Sequence, residues 1–98
     1  MADGVSGDDL RKIAIDLRSR NSKSVVALIS SNEGKPVLVV AASDEARAAG
    51  VKAGALVKVG STVLGGGGGG KDDFAQGGGT DASKSLDALT AISNALVG

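Results

Sequence analysis

The pattern of apolar and polar positions in the stretch DDLRKIAIDLRSRN predicts an amphipathic helix near the start of the chain. Four apolar residues follow the i, i+3, i+4 and i+7 spacing of one helix face: Leu10, Ile13, Ala14 and Leu17. Asp8 or Asp9 can cap the first N–H groups of this helix. Three arginines lie mostly off the apolar face, and we expect them to be ordinary solvated charges: Arg11, Arg18 and Arg20.

Two short apolar segments, SVVALIS (residues 24–30) and PVLVVAA (residues 36–42), predict neighbouring β-strands. Both are rich in β-branched residues, and the SNEGK sequence between them contains Asn32 and Gly34, which suit a tight turn. We therefore expect a β-hairpin. Because the apolar runs are nearly continuous, helices should cover both faces of the sheet. The predicted fold class is α/β, a small mixed β-sheet covered by helices in a single domain.

The rest of the chain predicts two more helices and one ambiguous segment. Ser43 can start a short helix that ends at Gly50. Residues 51–64, VKAGALVKVGSTVL, fit helical spacing and strand alternation equally well, and Gly60 weakens both, so both assignments stay open. Asp81 or Ser83 caps the last helix, and Gly98 closes it. Its predicted apolar stripe consists of four residues: Leu86, Leu89, Ile92 and Leu96.

Composition limits the size of the protein and the chemistry that it can perform. The 98 residues, 42% of them apolar, suffice for one domain with its own core. The chain has neither cysteine nor histidine, which excludes disulfides, thiolate or imidazole catalysis and the usual zinc ligands. With 11 basic and 11 acidic side chains, any contact with nucleic acid must come from a local patch. The longest apolar run is too short to cross a membrane and no signal peptide is visible, so we expect a soluble cytoplasmic protein.

Glycine dominates residues 65–79, GGGGGGKDDFAQGGG, which form the one low-complexity segment of the sequence. A flexible linker is one interpretation of this glycine run. Phe74 interrupts the glycines, however, which favours an ordered hairpin or strand held by Phe74 in the core. Dinucleotide-binding and P-loop motifs are disfavoured, because no clear strand precedes the run and Asp72 stands where a P-loop needs Ser or Thr. Asp72, Asp73 and Asp81 are better explained as turn or cap residues than as a metal site.

The order of GDDLRKIAIDLRSR, a hairpin, VKAGALVKVGSTVLGGGGGGKDDFAQGGG and TDASKSLDAL resembles the C-terminal globular domain of alanyl-tRNA synthetases, the DHH-associated domain. The resemblance runs from about Gly4 to Val97, and its most specific part is a glycine run, a basic residue and then AQGGG. Two residues depart from the family pattern: Asp72 stands in place of a common proline and Phe74 in place of a common methionine. Because Phe and Met fill similar apolar space, these departures concern only the shape of the loop.

The resemblance implies one domain over residues 1–98, a C-terminal tRNA-binding module without catalytic machinery of its own. It implies tRNA(Ala) as the partner, contacted at its outer corner so that aminoacylation and editing act on the same tRNA. It further implies ATP and zinc as cofactors of the full enzyme but none in this domain, and a homodimer through this or an adjacent segment. The candidate tRNA-binding residues are those of the glycine run: Gly65, Gly66, Gly67, Gly68, Gly69, Gly70, Lys71, Gln76, Gly77, Gly78 and Gly79.

Two other functions stay open on the sequence. The chain could be the nucleic-acid-gripping domain of a DHH-family phosphoesterase, although the glycine motif of that family ends in a histidine that this chain lacks. It could also be a structural or dimerising domain. Because Phe74 is the single aromatic residue and is expected in the core, stacking on several bases is excluded. Recognition would use open main chain, Lys71 and Gln76, and nearby Arg or Lys side chains could add to it. We expect Gly68→Val and Gly78→Val to weaken tRNA binding and to leave the fold largely intact.

Overall fold

The computed structural model describes residues 2–3, 6–20, 24–32 and 35–97, and these residues form both helices and strands. The elements are β1 (Ala2–Asp3), α1 (Gly7–Ser19), β2 (Val25–Asn32), β3 (Lys35–Ala42), α2 (Asp44–Ala48), α3 (Ala53–Val63), β4 (Gly68–Gly70), β5 (Phe74–Gly78), a 3₁₀ turn (Ala82–Lys84) and α4 (Ser85–Val97). The predicted last residue of the final helix, Gly98, lies outside the described residues. No helix within the described ranges is long and apolar enough to cross a lipid bilayer.

The strands form one sheet in the order β1-β2-β3-β5-β4. β2 and β3 pair antiparallel, with Val25 opposite Ala42 and Ser31 opposite Pro36, so the predicted hairpin is confirmed. The tip of this hairpin, including Gly34, lies outside the described residues. β1 runs parallel to β2, whereas β5 is antiparallel to both β3 and β4. The sheet is therefore mixed, as predicted.

Both faces of the sheet are covered, and successive residues of β3 belong to opposite faces. Val39 and Ala41 pack against Leu10 and Ala14 of α1. Leu38, Val40 and Ala42, on the opposite face of β3, belong to a second, larger core cluster with residues of α3 and α4. This arrangement explains why β3 is apolar along nearly its whole length. The predicted α/β fold class, a small sheet covered by helices, is confirmed.

Side chains cap three of the helical segments. Ser6 caps α1, because its Oγ accepts a hydrogen bond from the main-chain N–H of Asp9 at 3.2 Å. The predicted cap by Asp8 or Asp9 is therefore wrong: both residues lie inside the first turn, where their charges favour the helix dipole instead. Ser43 caps α2, as predicted. Asp81 caps the 3₁₀ turn that leads into α4.

The segment that the sequence left ambiguous forms helix α3. Its buried residues recur at helical spacing: Ala53, Leu56, Val57, Gly60 and Ser61. Gly60 lies where the packing is tightest, since a Cβ there would lie 2.6 Å from Leu38 Cδ2 and 2.8 Å from Ile92 Cδ1. The glycine that weakened both assignments therefore lets α3 approach the sheet and α4 at the same point.

The predicted apolar faces of the outer helices are only partly buried. In α1, Ile13 and Leu17 are 44% and 41% exposed, beside the fully buried Leu10. In α4, Ile92 is buried, whereas Leu86 is 72% exposed. Helical spacing thus predicts both helices correctly but overestimates the width of the face that each one buries.

Candidate nucleic-acid interface

The glycine run forms an ordered hairpin at the edge of the sheet. β4 pairs antiparallel with β5, with Gly68 opposite Gly77, and Lys71 N closes the hairpin by donating to Phe74 O at 2.9 Å. Phe74 is half-buried and packs against the core cluster of α1. The predicted ordered hairpin is confirmed. The run follows a helix and leads into a strand, which is the reverse of the order in a dinucleotide-binding loop.

The turn of this hairpin caps the N-terminus of α3 with main-chain carbonyl groups. Ala53 N donates to Asp72 O at 2.9 Å, and Gly54 N donates to Lys71 O at 3.2 Å. Lys52, at the N-cap position, makes no side-chain cap. Because the first N–H groups of a helix need partners outside it, the hairpin turn and the start of α3 hold each other in place.

The hairpin turn is also attached on the α1 side. Asp73 O accepts hydrogen bonds from Ala42 N at 2.9 Å and from the Arg18 guanidinium Nη1, also at 2.9 Å. Arg18 is half-buried and reaches the turn from the last turn of α1. The turn is therefore connected to α1, β3 and α3, which indicates a rigid hairpin rather than a flexible loop.

Helix α3 passes directly beneath the hairpin, and this contact explains the glycines that face it. A Cβ at Gly68 would lie 2.4 Å from Gly77 Cα and 2.8 Å from Val57 Cγ1, and a Cβ at Gly77 would lie 2.2 Å from Ser61 Oγ. These separations are too short for a side chain, so packing requires bare main chain here. The expectation that Gly68→Val keeps the fold is therefore wrong. Gly78 is also tightly placed, with 3.0 Å between a Cβ there and a carbonyl oxygen of β3.

The other side of β4 is open. A Cβ at Gly67 or at Gly69 would meet no described atom within 4 Å, and neither residue has a left-handed φ. No described strand pairs with the outer edge of β4, where the carbonyl oxygen of Gly70 lies beside Gly54 of α3. Because Gly67 O and Lys71 N bond to β5, the alternation of an antiparallel pair directs the N–H groups of Gly68 and Gly70 away from β5. The edge strand thus presents bare main chain across one face and along its edge.

A groove of 460 Å³ lies between α1 and the open side of the hairpin. Its lining includes three cationic side chains, Arg11, Arg18 and Lys71, and one carboxylate, Asp73. The chain as a whole has 11 basic and 11 acidic side chains, so the groove is a local excess of positive charge on a neutral molecule. This is the local patch that contact with a polyanion would require.

The hairpin brings the predicted tRNA-binding residues to one edge of the sheet. Gly65, Gly66 and Gly67 connect α3 to β4, Gly68, Gly69 and Gly70 form β4, Lys71 lies in the turn, Gln76, Gly77 and Gly78 belong to β5, and Gly79 follows it. Lys71 and Gln76 are exposed and line the groove. Gly65 has a φ of 82°, which suits glycine at the end of a helix.

Sequence reasoning did not single out the arginines of α1 that line the groove. For Arg18 the prediction of an ordinary solvated charge is wrong, because the side chain is half-buried and bonded to Asp73 O. Arg11, Ile15 and Arg18 lie at i, i+4 and i+7 on the helix face that lines the groove. That spacing is visible in the sequence, but the position of the hairpin is needed to interpret it.

The carboxylate of Asp81 has a structural explanation. No group of three or more metal-ligating side chains that could hold an ion occurs in the part of the chain that the structure describes. The Ser83 hydroxyl and main-chain N–H both donate to the Asp81 carboxylate, and these bonds hold the pKa of Asp81 below its usual range. Asp81 thus serves as a cap, as predicted.

Comparison with known sequences gives one family. The family model described as "DHHA1 domain" matches residues 1–98. The alanine–tRNA ligase of Paenarthrobacter aurescens (strain TC1) is 55% identical over 91 residues, which cover 91% of this chain and 10% of the ligase. The alanine–tRNA ligase of Arthrobacter sp. (strain FB24) is 56% identical over 95 residues, which cover 94% of this chain and 11% of the ligase. The chain thus spans about a tenth of the length of these relatives.

A solved structure gives the same result for the fold. The C-Ala domain from Aquifex aeolicus alanyl-tRNA synthetase matches with a TM-score of 0.92 and 34% sequence identity, and the match covers 100% of this chain and 88% of that domain. The family model and the structural match therefore both extend over the whole chain. The chain belongs to the DHHA1 domain family and is similar over its whole length to the C-Ala domain of an alanyl-tRNA synthetase.

Proposed function

We propose that this chain binds tRNA through the glycine hairpin, with tRNA(Ala) as its natural partner. The proposed contact residues are those predicted from the sequence: Gly65, Gly66, Gly67, Gly68, Gly69, Gly70, Lys71, Gln76, Gly77, Gly78 and Gly79. By contacting the outer corner of the tRNA, the domain would help aminoacylation and editing to act on one tRNA molecule. The full enzyme would use ATP and zinc in the cytoplasm, and the domain would add no catalytic group of its own.

One observation carries this proposal: the edge of the sheet combines bare main chain with a local basic groove. Gly67 and Gly69 leave the face of β4 open, and the N–H groups of Gly68 and Gly70 point to its free edge. Main-chain N–H groups without neighbouring side chains can approach phosphate and ribose oxygens closely. Recognition of this kind follows the shape and backbone of a folded RNA and needs no aromatic stacking.

The side chains of Lys71 and Gln76 extend this open surface. Lys71 adds an exposed positive charge at the turn, and its attraction to phosphate should weaken with added salt. Gln76 carries both a donor and an acceptor in its amide group, which suits a base edge or a 2′-hydroxyl group. Both side chains are exposed. The two residues would therefore contribute affinity and discrimination, respectively.

The proposal is tested by titrating the 98-residue chain into labelled tRNA(Ala) and into a DNA duplex of similar length, over a series of salt concentrations. We expect micromolar binding to the tRNA that weakens steeply with salt, and weaker binding to the duplex. Gel filtration of the free chain, run in parallel, tests the homodimer that the family resemblance implies. Equal binding to tRNA and duplex DNA would contradict shape-specific recognition, and absence of tRNA binding at low salt would refute the proposed function.

A further inference from the structure

We infer that the groove between α1 and the hairpin holds the sugar-phosphate backbone of the bound RNA, and that Arg11 and Arg18 of α1 contact its phosphates. This inference rests on the proposed function, because it assigns part of the same RNA contact to residues outside the glycine run. It extends the interface from the edge strand onto a neighbouring helix.

The two walls of the groove come from distant parts of the chain. Arg11 and Arg18 lie seven residues apart on α1 and therefore project from the same side of the helix, two turns apart. Lys71 and Gln76 form the opposite wall. A ligand that follows the groove can thus meet cationic side chains on the hairpin and at two positions about two turns apart on α1, as a chain of phosphates requires.

The arginine that anchors the hairpin also has capacity left for a ligand. A guanidinium group carries five N–H donors, and Arg18 uses Nη1 to donate to Asp73 O. Its partner is the main-chain carbonyl of Asp73 and not the carboxylate, so the positive charge of Arg18 stays without a directly bonded counter-charge among the described residues. Arg18 can therefore position the turn and attract a phosphate group at the same time.

Gly69 allows a ligand in the groove to approach the main chain closely. This glycine lines the groove and leaves open space where a side chain would stand. The volume of 460 Å³ is within the usual range of ligand-binding clefts, roughly 300–1,000 Å³. The lining contains three cations against one carboxylate, which disfavours an apolar peptide or a second copy of this neutral chain as the occupant. A polyanionic backbone is the occupant that fits both the charge and the shape.

The test compares two substitutions that remove one positive charge from neighbouring positions of α1. Arg11→Gln removes a cation from the groove, whereas Lys12→Gln removes one from an exposed position that does not line it. The affinity for tRNA(Ala) is measured for the parent chain and both variants over a salt series, and thermal unfolding is measured for all three. Because Arg11 is exposed, its substitution should leave the unfolding temperature unchanged.

We expect the slope of log affinity against log salt concentration to fall by about 0.7–0.9 in Arg11→Gln, the value for one lost phosphate contact. The parent should then exceed the variant in affinity by a factor about three times larger at ~50 mM than at ~200 mM salt. The Lys12→Gln slope should match that of the parent. If both variants keep the slope of the parent, or if both lose it equally, the groove assignment is wrong while the proposed tRNA binding stands. If the parent chain itself fails to bind tRNA, the proposed function and this inference are both refuted.

Discussion

The neighbouring glycines Gly68 and Gly69 provide a direct test of how the hairpin uses its bare main chain. They belong to the same short strand, but Gly68 faces α3 and Gly69 faces the open groove. An alanine at either position adds one methyl group and removes the same glycine flexibility. The two substitutions are therefore matched, and only the surroundings of the added Cβ differ.

The structure gives opposite signs for the two effects on stability. At Gly68 the new Cβ would lie 2.4 Å from Gly77 Cα of β5 and 2.8 Å from Val57 Cγ1 of α3, so β4 must shift relative to both elements. Overpacking of this kind costs about 1–3 kcal/mol. At Gly69 the new Cβ meets no described atom within 4 Å, and φ is not left-handed. Gly69→Ala should therefore stabilise the fold by about 0.4–1 kcal/mol through the lower entropy of the unfolded chain.

Thermal unfolding followed by circular dichroism measures both effects. For a domain of this size, 1 kcal/mol corresponds to roughly 4–8 °C in Tm. Gly68→Ala should lower Tm by about 4–24 °C, and Gly69→Ala should raise it by about 2–8 °C. Urea denaturation gives the free energies independently, and an unchanged m-value confirms that the unfolded states are comparable.

Two results would refute the reasoning. If both alanine variants unfold like the parent, the glycine run behaves as a flexible linker and the packed hairpin is wrong. If both are destabilised to the same extent, the side of β4 that faces the groove is covered in the folded protein. In that case no ligand could reach the main chain of Gly69.

Three further predictions test other parts of the structure. Ser61→Ala should stabilise the fold by about 1 kcal/mol, because the buried Ser61 Oγ has no hydrogen-bond partner among the described residues. Urea denaturation measures the effect, with Thr62→Ala as the control at an exposed, hydrogen-bonded hydroxyl. Destabilisation by Ser61→Ala would contradict the absence of a partner for Ser61 Oγ. Lys71→Ala should weaken tRNA binding modestly, and this loss of affinity should become smaller as the salt concentration rises. A loss of affinity that does not depend on salt would contradict a phosphate contact. Asp81→Asn should lower Tm at neutral pH, because the hydrogen bonds from Ser83 hold the pKa of Asp81 below its unfolded value. The difference in Tm between parent and variant should disappear as the pH falls through that lowered pKa, and a difference that persists in acid would contradict the carboxylate cap.

The sequence predicts the fold well where apolar spacing is unambiguous. β2, β3, α1 and α4 follow directly from their patterns, and the continuous apolar run of β3 correctly indicates helices on both faces. The assignment of α3 could not be made, because Val57, Val59, Ser61 and Val63 also alternate as in a strand. Only the contacts of Gly60 with Leu38 and Ile92 show why a glycine lies in the middle of this helix.

The site could be predicted only in outline. The sequence correctly marks the glycine run as an ordered hairpin, but it cannot tell which glycines serve packing and which leave space for a ligand. That distinction depends on where α3 passes beneath Gly68 and Gly77. The bond from Arg18 to Asp73 O is equally hidden, because it joins a side chain to a main-chain carbonyl 55 residues away. The types of residue in a sequence do not reveal which main-chain groups accept hydrogen bonds from side chains.

The central claim is that rigid bare main chain in the glycine hairpin receives the RNA. NMR of the isotope-labelled 98-residue chain, with and without tRNA(Ala), tests it most directly, because amide relaxation and chemical shifts report order and contact together. We predict that the amides of residues 65–79 are ordered in the free protein and that Gly69, Lys71 and Gln76 shift on addition of tRNA. Fast motion throughout residues 65–79 in both samples, without a shift in any of their amides, would contradict the claim.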